Sequence, residues 1–428
     1  MSSNGNNSDK NGLWLGLIVL IVCVGGFIWW YFSNEDDPDR QKLSSYINEI
    51  FNDDPANNIP IDSDVDFANG KYGIELSGTC YHYQQLTEKE KQAYAFIYRG
   101  CKDFMPAIPV SSISVEECER AIYAFRIDHP EFFWFRESSV SMTYVNNVVN
   151  TITCRVPSDA VEKMNRVESI ADEVLKDAPA DEYGKVKYIY EYIINTTDYD
   201  LKDMDNPENQ YIHRTLIDHL AVCGGYANTF LYLCDKAGIY CGYASGEVKG
   251  RGPHAWNFVK LGGKYYWVDV TWGDPVFEGS IYSTGSSSIR DTISYDYFCV
   301  TDEEILPNRI LSNSPSYPSY QPYMDFTYPT CTDNSYNYYM REGCYFKGYT
   351  RMIVSDYIMT QVGMLGAKTV TLKFDTKEAY QLAKADILDS DEFLNELASD
   401  LKKNYGKEIT QQYARMSDEA RRLEIEFS

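Results

Sequence analysis

The chain has 428 residues, of which 63 are acidic and 39 are basic, and its formal net charge is -24. This charge repels phosphate backbones and anionic lipid, so the sequence predicts no nucleic-acid partner. With 44% hydrophobic residues, the chain can form one large domain or two to three ordinary domains with hydrophobic cores.

Residues 13–32 contain no charge, and this stretch is long enough for a helix to cross a bilayer. Aromatic residues stand near both of its ends, as is typical of membrane spans. A cleaved signal peptide is the alternative, but residues 29–32 are aromatic where a cleavage site needs small side chains. The sequence therefore predicts a short tail over residues 1–12 and a transmembrane helix over 13–32.

The orientation of this helix is not decided by charge, because one lysine precedes it and two basic residues follow it closely. A single N-terminal span usually exports the chain that follows it. We therefore expect a single-pass protein of the cell membrane with its C-terminal part extracytoplasmic. Residues 33–80, rich in Asp, Asn, Ser and Pro, are interpreted as a polar linker.

Residues 81–160 are predicted to form a mainly helical region. Two helices are expected to begin at capping boxes, one at Thr87 with Glu90 and one at Ser114 with Glu117. Residues 161–305 show helical and then strand-like patterns and are predicted to form a central region of helices and a sheet, which contains the candidate catalytic residues described below. Residues 330–428 are predicted to be a small α+β C-terminal domain, with strands at 369–374 and 423–427.

Eleven cysteines cannot all pair, because one lies in the predicted span and Cys223 has a proposed chemical role. Cys331 and Cys344 could close a short loop in an oxidising compartment. Three further cysteines have apolar neighbours, which favours buried thiols; these are Cys118, Cys234 and Cys299.

Cys223 is the strongest candidate nucleophile. It is followed by Gly224 and Gly225 and then by apolar residues at helical spacing, so the thiol is predicted to lie at a helix N-terminus. The unpaired N–H groups and the dipole there stabilise a thiolate and can also bind an oxyanion. The two glycines would let a substrate carbonyl approach the backbone.

A predicted hairpin supplies a base and an acid. Residues 254–261 and 264–271 flank Gly262 and Gly263, a pair suited to a two-residue turn. With that turn, His254 and Asp269 are diagonal neighbours on one sheet face, roughly 7 to 8 Å apart at the backbone. A carboxylate that orients an imidazole beside a thiol is the arrangement of a catalytic triad.

Three motifs carry a family resemblance: Cys223-Gly-Gly-Tyr-Ala, His254-Ala-Trp-Asn, and Tyr266-Trp-Val-Asp-Val-Thr-Trp272. Together they resemble the core of the transglutaminase-like superfamily, over about residues 165–300. The resemblance implies a papain-like α+β fold, in which a helix carrying the cysteine packs on an antiparallel sheet carrying the histidine and aspartate. It also implies thiol-dependent amide chemistry through an acyl-enzyme, and the superfamily includes transglutaminases, peptidases and inactive relatives.

Two further segments, residues 81–134 and 297–302, are similar to bacterial members that carry this module outside the membrane, which supports the orientation chosen above. Gly224 stands where many relatives have an acidic residue. Around the triad, several residues are predicted either to line the acyl site or to be ordinary core; these are Gly224, Gly225, Tyr226, Trp256, Asn257 and Trp272.

No metal or cofactor is predicted. The acidic segment 198–208 lacks the glycine of an EF-hand loop, and no zinc-ligand spacing occurs. The main hypothesis is a membrane-anchored cysteine enzyme acting on protein, peptide or cell-wall peptide substrates by hydrolysis or transamidation. The alternative is an inactive module of the same fold that binds surface peptides or the cell wall.

Overall fold

The computed structural model describes residues 80–136, 139–274, 293–389, 391–410 and 412–428. The predicted tail, the predicted transmembrane helix over 13–32 and the linker up to residue 79 lie outside the described residues. Within the described ranges, no helix combines the length and the apolar character that a bilayer crossing requires.

The N-terminal region contains the two expected helices. Helix α1 (Glu88–Lys102) and helix α2 (Val115–Asp128) both begin at the predicted capping boxes, which are confirmed. They pack against a three-stranded antiparallel sheet in the order β1-β3-β2. Its strands are β1 (Ala107–Ser114), β2 (Val140–Val145) and β3 (Val148–Cys154). The region is therefore mixed, because a sheet accompanies the helices in the region predicted to be mainly helical.

The core region begins with four helices and a short parallel strand pair. The helices are α3 (Ala160–Leu175), α4 (Glu182–Thr196), α5 (Ile212–Asp218) and α6 (Cys223–Lys236), and the strands are β4 (Asp198–Tyr199) and β5 (Leu220–Ala221). Helix α6 contacts α4 and α5 as well as the main sheet, so it lies at the centre of this region. Its side chains are buried along almost the whole helix.

The main sheet has five antiparallel strands in the order β10-β6-β7-β8-β9. The strands are β6 (Cys241–Val248), β7 (Gly252–Leu261), β8 (Lys264–Val268), β9 (Phe298–Val300) and β10 (Arg309–Leu311). Alternate side chains of β7 and β8 enter two separate apolar clusters. Val259 and Val268 pack with the helices, whereas Phe258 and Trp267 pack in the second cluster. Both faces of the sheet are therefore covered.

The predicted two-residue turn between β7 and β8 is confirmed. Leu261 pairs with Lys264, and Gly262 and Gly263 have φ values of 55° and 80°. The predicted strand over 264–271 is too long, however, because β8 ends at Val268. The chain then forms a 3-10 helix over residues 271–273. The described pairing of β7 with β8 ends at Asn257 and Val268, so neither His254 nor Asp269 is paired across these two strands.

The C-terminal region is a small α+β unit with its own apolar core. Its sheet has the order β11-β12-β14-β13. The strands are β11 (Tyr345–Phe346), β12 (Thr369–Phe374), β13 (Gln412–Ser417) and β14 (Arg422–Phe427). The helices of residues 302–405 are α7 (Asp302–Ile305), α8 (Tyr338–Arg341), α9 (Arg351–Ile358), α10 (Lys377–Leu388) and α11 (Asp391–Tyr405).

The ten cysteines among the described residues are free thiols. The disulfide considered between Cys331 and Cys344 is not formed, and both residues are buried free thiols. The three cysteines predicted to be buried are confirmed as such: Cys118, Cys234 and Cys299.

Candidate active site

Cys223 is the first residue of α6. The preceding residue, Val222, contributes no side-chain cap to the helix. The N–H groups of Cys223 and Gly224 have no partner within the helix, as is usual for a first turn, whereas the N–H of Gly225 donates to the carbonyl of Val222 at 2.8 Å. Cys223 is partly exposed, whereas the eight residues that follow it are buried. This end of the helix is thus open to a reacting group.

The two glycines after Cys223 allow α6 to pack against the loop that precedes α5. A Cβ atom on Gly225 would lie 2.4 Å from the carbonyl oxygen of Asn209. A Cβ atom on Gly224 would lie 1.7 Å from Oε1 of Gln210, which is an exposed side chain. Close packing within the chain therefore explains both glycines, at Gly225 against rigid backbone and at Gly224 against a flexible side chain.

His254 and Asp269 are brought together directly. The Nε2 atom of His254 lies 2.8 Å from Oδ2 of Asp269, and both residues are buried. Burial alone would lower the pKa of His254, but the charge and hydrogen bond of Asp269, together with a hydrogen bond to Cys223, raise it to about 9. Because Asp269 occupies Nε2, the other ring nitrogen is left for the thiol. The three residues therefore form a connected chain of Cys, His and Asp.

Asp269 has a second cationic partner, Arg309, that the sequence analysis did not identify. The Nη2 atom of Arg309 donates to Oδ2 of Asp269 at 2.6 Å, and both side chains are fully buried. The backbone N–H of Trp272 donates to the other carboxylate oxygen at 3.2 Å. Burial would raise the pKa of Asp269, but the charges of His254 and Arg309 hold it below its usual value. Asp269 therefore remains ionised.

Arg309 reaches this position from β10, the edge strand beside β6. Its guanidinium lies over the rings of Tyr297 and Trp272, at 4.5 and 4.9 Å from their centroids. Such stacking favours a guanidinium over an ammonium group. No local motif marks Arg309, because it is 40 residues from Asp269. Only the strand order of the sheet could have identified it.

Two of the predicted neighbours of the triad flank His254. The ring of Trp256 stacks on it with a centroid distance of 5.9 Å, and Trp272 meets it edge-on at 6.3 Å. Both indoles are largely buried. They limit the orientations open to the imidazole and keep water from one side of it.

The other two predicted neighbours, Tyr226 and Asn257, have polar groups engaged in the framework of the core. The amide of Asn257 donates to the carbonyls of Ala227 and Gly242 at 3.0 and 3.2 Å, and so ties α6 to the sheet. The hydroxyl of Tyr226 donates to Asp274 at 2.6 Å. Asp274 is itself buried. Tyr226 and Asn257 therefore help to position α6.

Tyr199, on β4, is a further residue that sequence reasoning missed. Burial raises the pKa of its phenol, as does the charge of Cys223, whereas a hydrogen bond from the backbone of Cys223 lowers it. A hydrogen bond that lowers the pKa of an acid is donated to its anion, so the donor is the Cys223 N–H. The Tyr199 oxygen therefore lies at a donor suited to an oxyanion.

No metal centre accompanies this arrangement in the part of the chain that the structure describes, where no group of His, Cys, Asp and Glu side chains is placed to hold an ion. In the acidic segment, Asp200 accepts the backbone N–H groups of Lys202 and Asp203 at 3.1 Å each. It also accepts the side-chain amide of Asn209. These contacts organise the loop that packs on Gly225.

A family model described as the transglutaminase-like superfamily matches residues 168–271. These residues belong to the transglutaminase-like superfamily. The match includes Cys223, His254 and Asp269, whereas Arg309 lies beyond it. The predicted α+β fold with a transglutaminase-like core is thus confirmed.

Two curated relatives match part of this chain. Kyphoscoliosis peptidase of Mus musculus and that of Homo sapiens are each 30% identical to this chain over 120 residues, and the match covers 25% of it. The aligned part is 18% of the length of either relative. Most of each relative therefore has no counterpart in this alignment.

Two solved structures also match parts of the chain. A TGase crystal structure is 16% identical, covers 36% of this chain and 47% of its own, and has a TM-score of 0.25. A candidate cysteine protease from Cytophaga hutchinsonii is 14% identical, covers 32% of this chain and 63% of its own, and has a TM-score of 0.23.

Proposed function

We propose that the protein is a cysteine-dependent acyl-transfer enzyme that acts on amide or peptide bonds through a thioester. Cys223 is the nucleophile, His254 the base and acid, and Asp269 the group that orients His254. The observation that carries this proposal is the buried, hydrogen-bonded pair of His254 and Asp269 beside Cys223, which lies at an open helix N-terminus.

In the first step, the sulfur of Cys223 attacks the carbonyl carbon of the amide while the thiol proton passes to His254. The N–H groups at the start of α6 stabilise the oxyanion that forms. His254 then donates the proton to the leaving nitrogen, the C–N bond breaks, and a thioester remains on Cys223.

In the second step, water or an amine attacks the thioester and transfers a proton to His254. The C–S bond breaks, and the thiolate of Cys223 takes the proton back from His254. Water yields a carboxylic acid and an amine yields a new amide. Hydrolysis and transamidation therefore use the same residues and differ in which nucleophile reaches the acyl group.

The setting of this chemistry is a second part of the proposal. Residues 13–32 would anchor the chain in the cell membrane as a single span, with the catalytic domain outside the cytoplasm. Substrates there would be proteins, peptides or cell-wall peptides. Thiol labelling of intact cells with a membrane-impermeant reagent tests this arrangement: protection of Cys223 until the cells are permeabilised would contradict it.

Selective alkylation tests the catalytic proposal. The full chain in detergent is treated briefly with iodoacetamide near neutral pH, and each cysteine is quantified by mass spectrometry. We expect preferential labelling of Cys223 that is lost in His254→Ala. The control is His219→Asn, because His219 is exposed at the end of α5 with a φ of 59°, which asparagine also adopts.

Two outcomes separate the proposed enzyme from the alternative. Fast labelling of Cys223 in the wild type and in His219→Asn, with loss in His254→Ala, supports an activated thiol. Labelling of Cys223 no faster than that of the other cysteines, and unchanged by His254→Ala, contradicts it. That result would favour an inactive module that binds surface peptides or the cell wall.

A further inference from the structure

The C-terminal region meets the catalytic core through buried charges. Two acidic residues come from the core: Asp296 lies shortly before β9, and Glu304 lies on α7. Three cations come from the C-terminal sheet: Lys373 on β12, Arg421 just before β14, and Arg422 at the start of β14. The side chains of Asp296, Glu304 and Lys373 are almost completely buried. Because an unpaired buried charge is strongly destabilising, each of these groups depends on its partners.

The C-terminal sheet places two of these cations against each other. Lys373 and Arg422 are paired directly across β12 and β14, and like charges in this position destabilise a sheet. The Nε atom of Arg422 donates to both carboxylate oxygens of Asp296, at 2.8 and 3.1 Å. The Nζ atom of Lys373 lies 3.6 Å from Oε1 of Glu304. The core therefore supplies the anions that offset this repulsion.

Asp296 is held by further contacts. Its Oδ1 atom also accepts the hydroxyl of Tyr339 at 2.7 Å, and its backbone N–H donates to Oγ of Ser294 at 3.3 Å. Burial would raise the pKa of Asp296, but the charges of Arg422 and Lys373 hold it below its usual value. Asp296 is therefore an ionised residue whose position is fixed by the C-terminal sheet and by α8.

The next residue, Tyr297, supports Asp269. Its carbonyl accepts the backbone N–H of Asp269 at 2.9 Å. Its ring centroid lies 4.5 Å from the guanidinium of Arg309 and 5.2 Å from the ring of Trp272, which it meets edge-on. Arg309 and Trp272 both donate to the carboxylate of Asp269. Tyr297 thus contacts the backbone of Asp269 and two of the donors that hold its side chain.

The turn between β13 and β14 also lies near Tyr297. Burial raises the pKa of the Tyr297 phenol, the charge of Arg309 lowers it, and the charge of Glu419 in this turn raises it. The ring of Tyr297 is therefore within electrostatic reach of both Arg309 and the C-terminal region. The C-terminal region approaches this residue at a second point besides Arg422.

We propose that Asp296 is a positioning residue for the reaction, because its ion pair with Arg422 fixes Tyr297 and so holds the Asp269 carboxylate against His254. The C-terminal region thereby acts on the triad from outside residues 168–271, which match the family model. The inference rests on the proposed function, in which Asp269 controls the protonation of His254.

Asp296→Asn tests this role through the pKa of His254. The full chain in detergent, isotope-labelled in its five histidines, is titrated by NMR, and His254→Gln identifies the signal. In the wild type this pKa should be about 9. Loss of the ion pair should let Asp269 shift away from His254. An added separation of about 1 Å corresponds to roughly half a pKa unit at the effective dielectric constant of protein sites.

We therefore expect Asp296→Asn to lower the pKa of His254 by roughly 0.5 to 1 unit. The rate of iodoacetamide alkylation of Cys223 near neutral pH should fall by a matching factor of about 3 to 10. The double variant Asp296→Asn with Arg422→Met removes both charges of the pair and serves if the single variant does not fold. It should show the same lowered pKa, because it also lacks the ion pair.

Glu304→Gln is the matched control, because it removes the other anion of the same contact. Glutamine can still close the capping box with Thr301. The partners of Glu304 in the described part of the chain are Thr301, Lys373 and Arg421, none of which is a donor to Asp269. Glu304→Gln should therefore lower stability but leave the histidine pKa and the alkylation rate unchanged.

A wild-type pKa of His254 in both folded Asp296→Asn and the double variant would overturn the proposal. An equal fall of this pKa in Glu304→Gln would also overturn it, because the effect would then be a general loosening of the contact. These results differ from a failure of the proposed function, in which iodoacetamide shows no selective reaction at Cys223 of the wild type. The titration of His254 does not depend on that reactivity and tests the position of Asp269 in either case.

Discussion

The variant Asp269→Asn tests most directly how the charge of Asp269 controls the protonation of His254 and the reactivity of Cys223. In the wild type, Asp269, with a smaller contribution from Cys223, raises the pKa of His254 from the ordinary 6.5 to about 9 against the effect of burial. This rise corresponds to about 3 kcal/mol of stabilisation of the imidazolium. Asparagine keeps the shape of the side chain but removes its charge, while burial continues to disfavour protonation. The thiolate and imidazolium pair should therefore become less populated by roughly one to two orders of magnitude.

The assay is the rate of iodoacetamide alkylation of Cys223 between pH 6 and 7, measured below the melting temperature of every variant. Asp269→Asn also leaves Arg309 buried without its carboxylate, which should destabilise the fold by about 3–5 kcal/mol. The double variant Asp269→Asn with Arg309→Met removes both charges and controls for this effect. It should recover part of the lost stability, while alkylation stays slow.

Arg309→Met alone completes the comparison. It should lower stability, because it removes one partner of a buried pair, yet Asp269 still holds His254 and alkylation should stay within a few-fold of the wild type. The reasoning is refuted if folded Asp269→Asn is alkylated at the wild-type rate between pH 6 and 7. It is also refuted if the double variant regains both stability and reactivity.

Three further predictions concern the same site. The raised pKa of His254 contributes stability that is complete below pH 6.5 and is lost as the pH rises to about 9. The difference in free energy of unfolding between wild type and His254→Gln, measured with urea, should therefore be about 3 kcal/mol smaller at the alkaline end of this window than at the acidic end. Gly225→Ala, which meets a backbone carbonyl at 2.4 Å, should cost about 1–3 kcal/mol in thermal unfolding, whereas Gly224→Ala, which meets an exposed side chain, should cost less than about 1 kcal/mol. Tyr199→Phe should free the N–H of Cys223 and speed acylation by an amide substrate roughly 2- to 10-fold; an unchanged rate would show that the Tyr199 oxygen does not compete with the oxyanion.

Local signals account for the parts of the fold that the sequence predicted well. The capping boxes at Thr87 and Ser114 depend on residues three apart, and the turn at Gly262 and Gly263 requires positive φ values that glycine readily adopts. The alternation of helical and strand-like patterns also predicted the α+β character of the C-terminal region, and strand β12 covers the predicted residues 369–374.

The errors had two causes, an overlooked turn signal and a strand pattern that continues beyond the end of the strand. The hairpin of β2 and β3 turns at Asn146 and Asn147, which adopt φ values of 51° and 64°. Asparagine is the residue other than glycine that most readily takes this conformation, so the pair was a usable signal that was missed. Strand β8 was predicted too long because residues 269–271 continue its alternation, whereas the N–H of Asp269 instead donates to the carbonyl of Tyr297.

The candidate site likewise contains residues that local signals predicted and residues that they did not. His254 and Asp269 were brought together by the correct turn, even though the ladder ends before them, because the side chains span the remaining distance. Arg309 and Tyr199 could not be predicted in this way. Each reaches the site from a short strand of three residues or fewer, whose position depends on the whole sheet or on a parallel pair.

The presence of Arg309 follows from what the proposed cycle demands of a fully buried carboxylate. When His254 is protonated, it balances the charge of Asp269; when His254 gives its proton to the leaving nitrogen, that balance is lost. A buried carboxylate without a cation takes up a proton, and a protonated Asp269 would no longer favour the next imidazolium. Arg309, 2.6 Å from the same oxygen, supplies a positive charge in both states of His254. Asp269 can therefore stay ionised throughout the cycle, so that the proton moves between Cys223, His254 and the substrate alone.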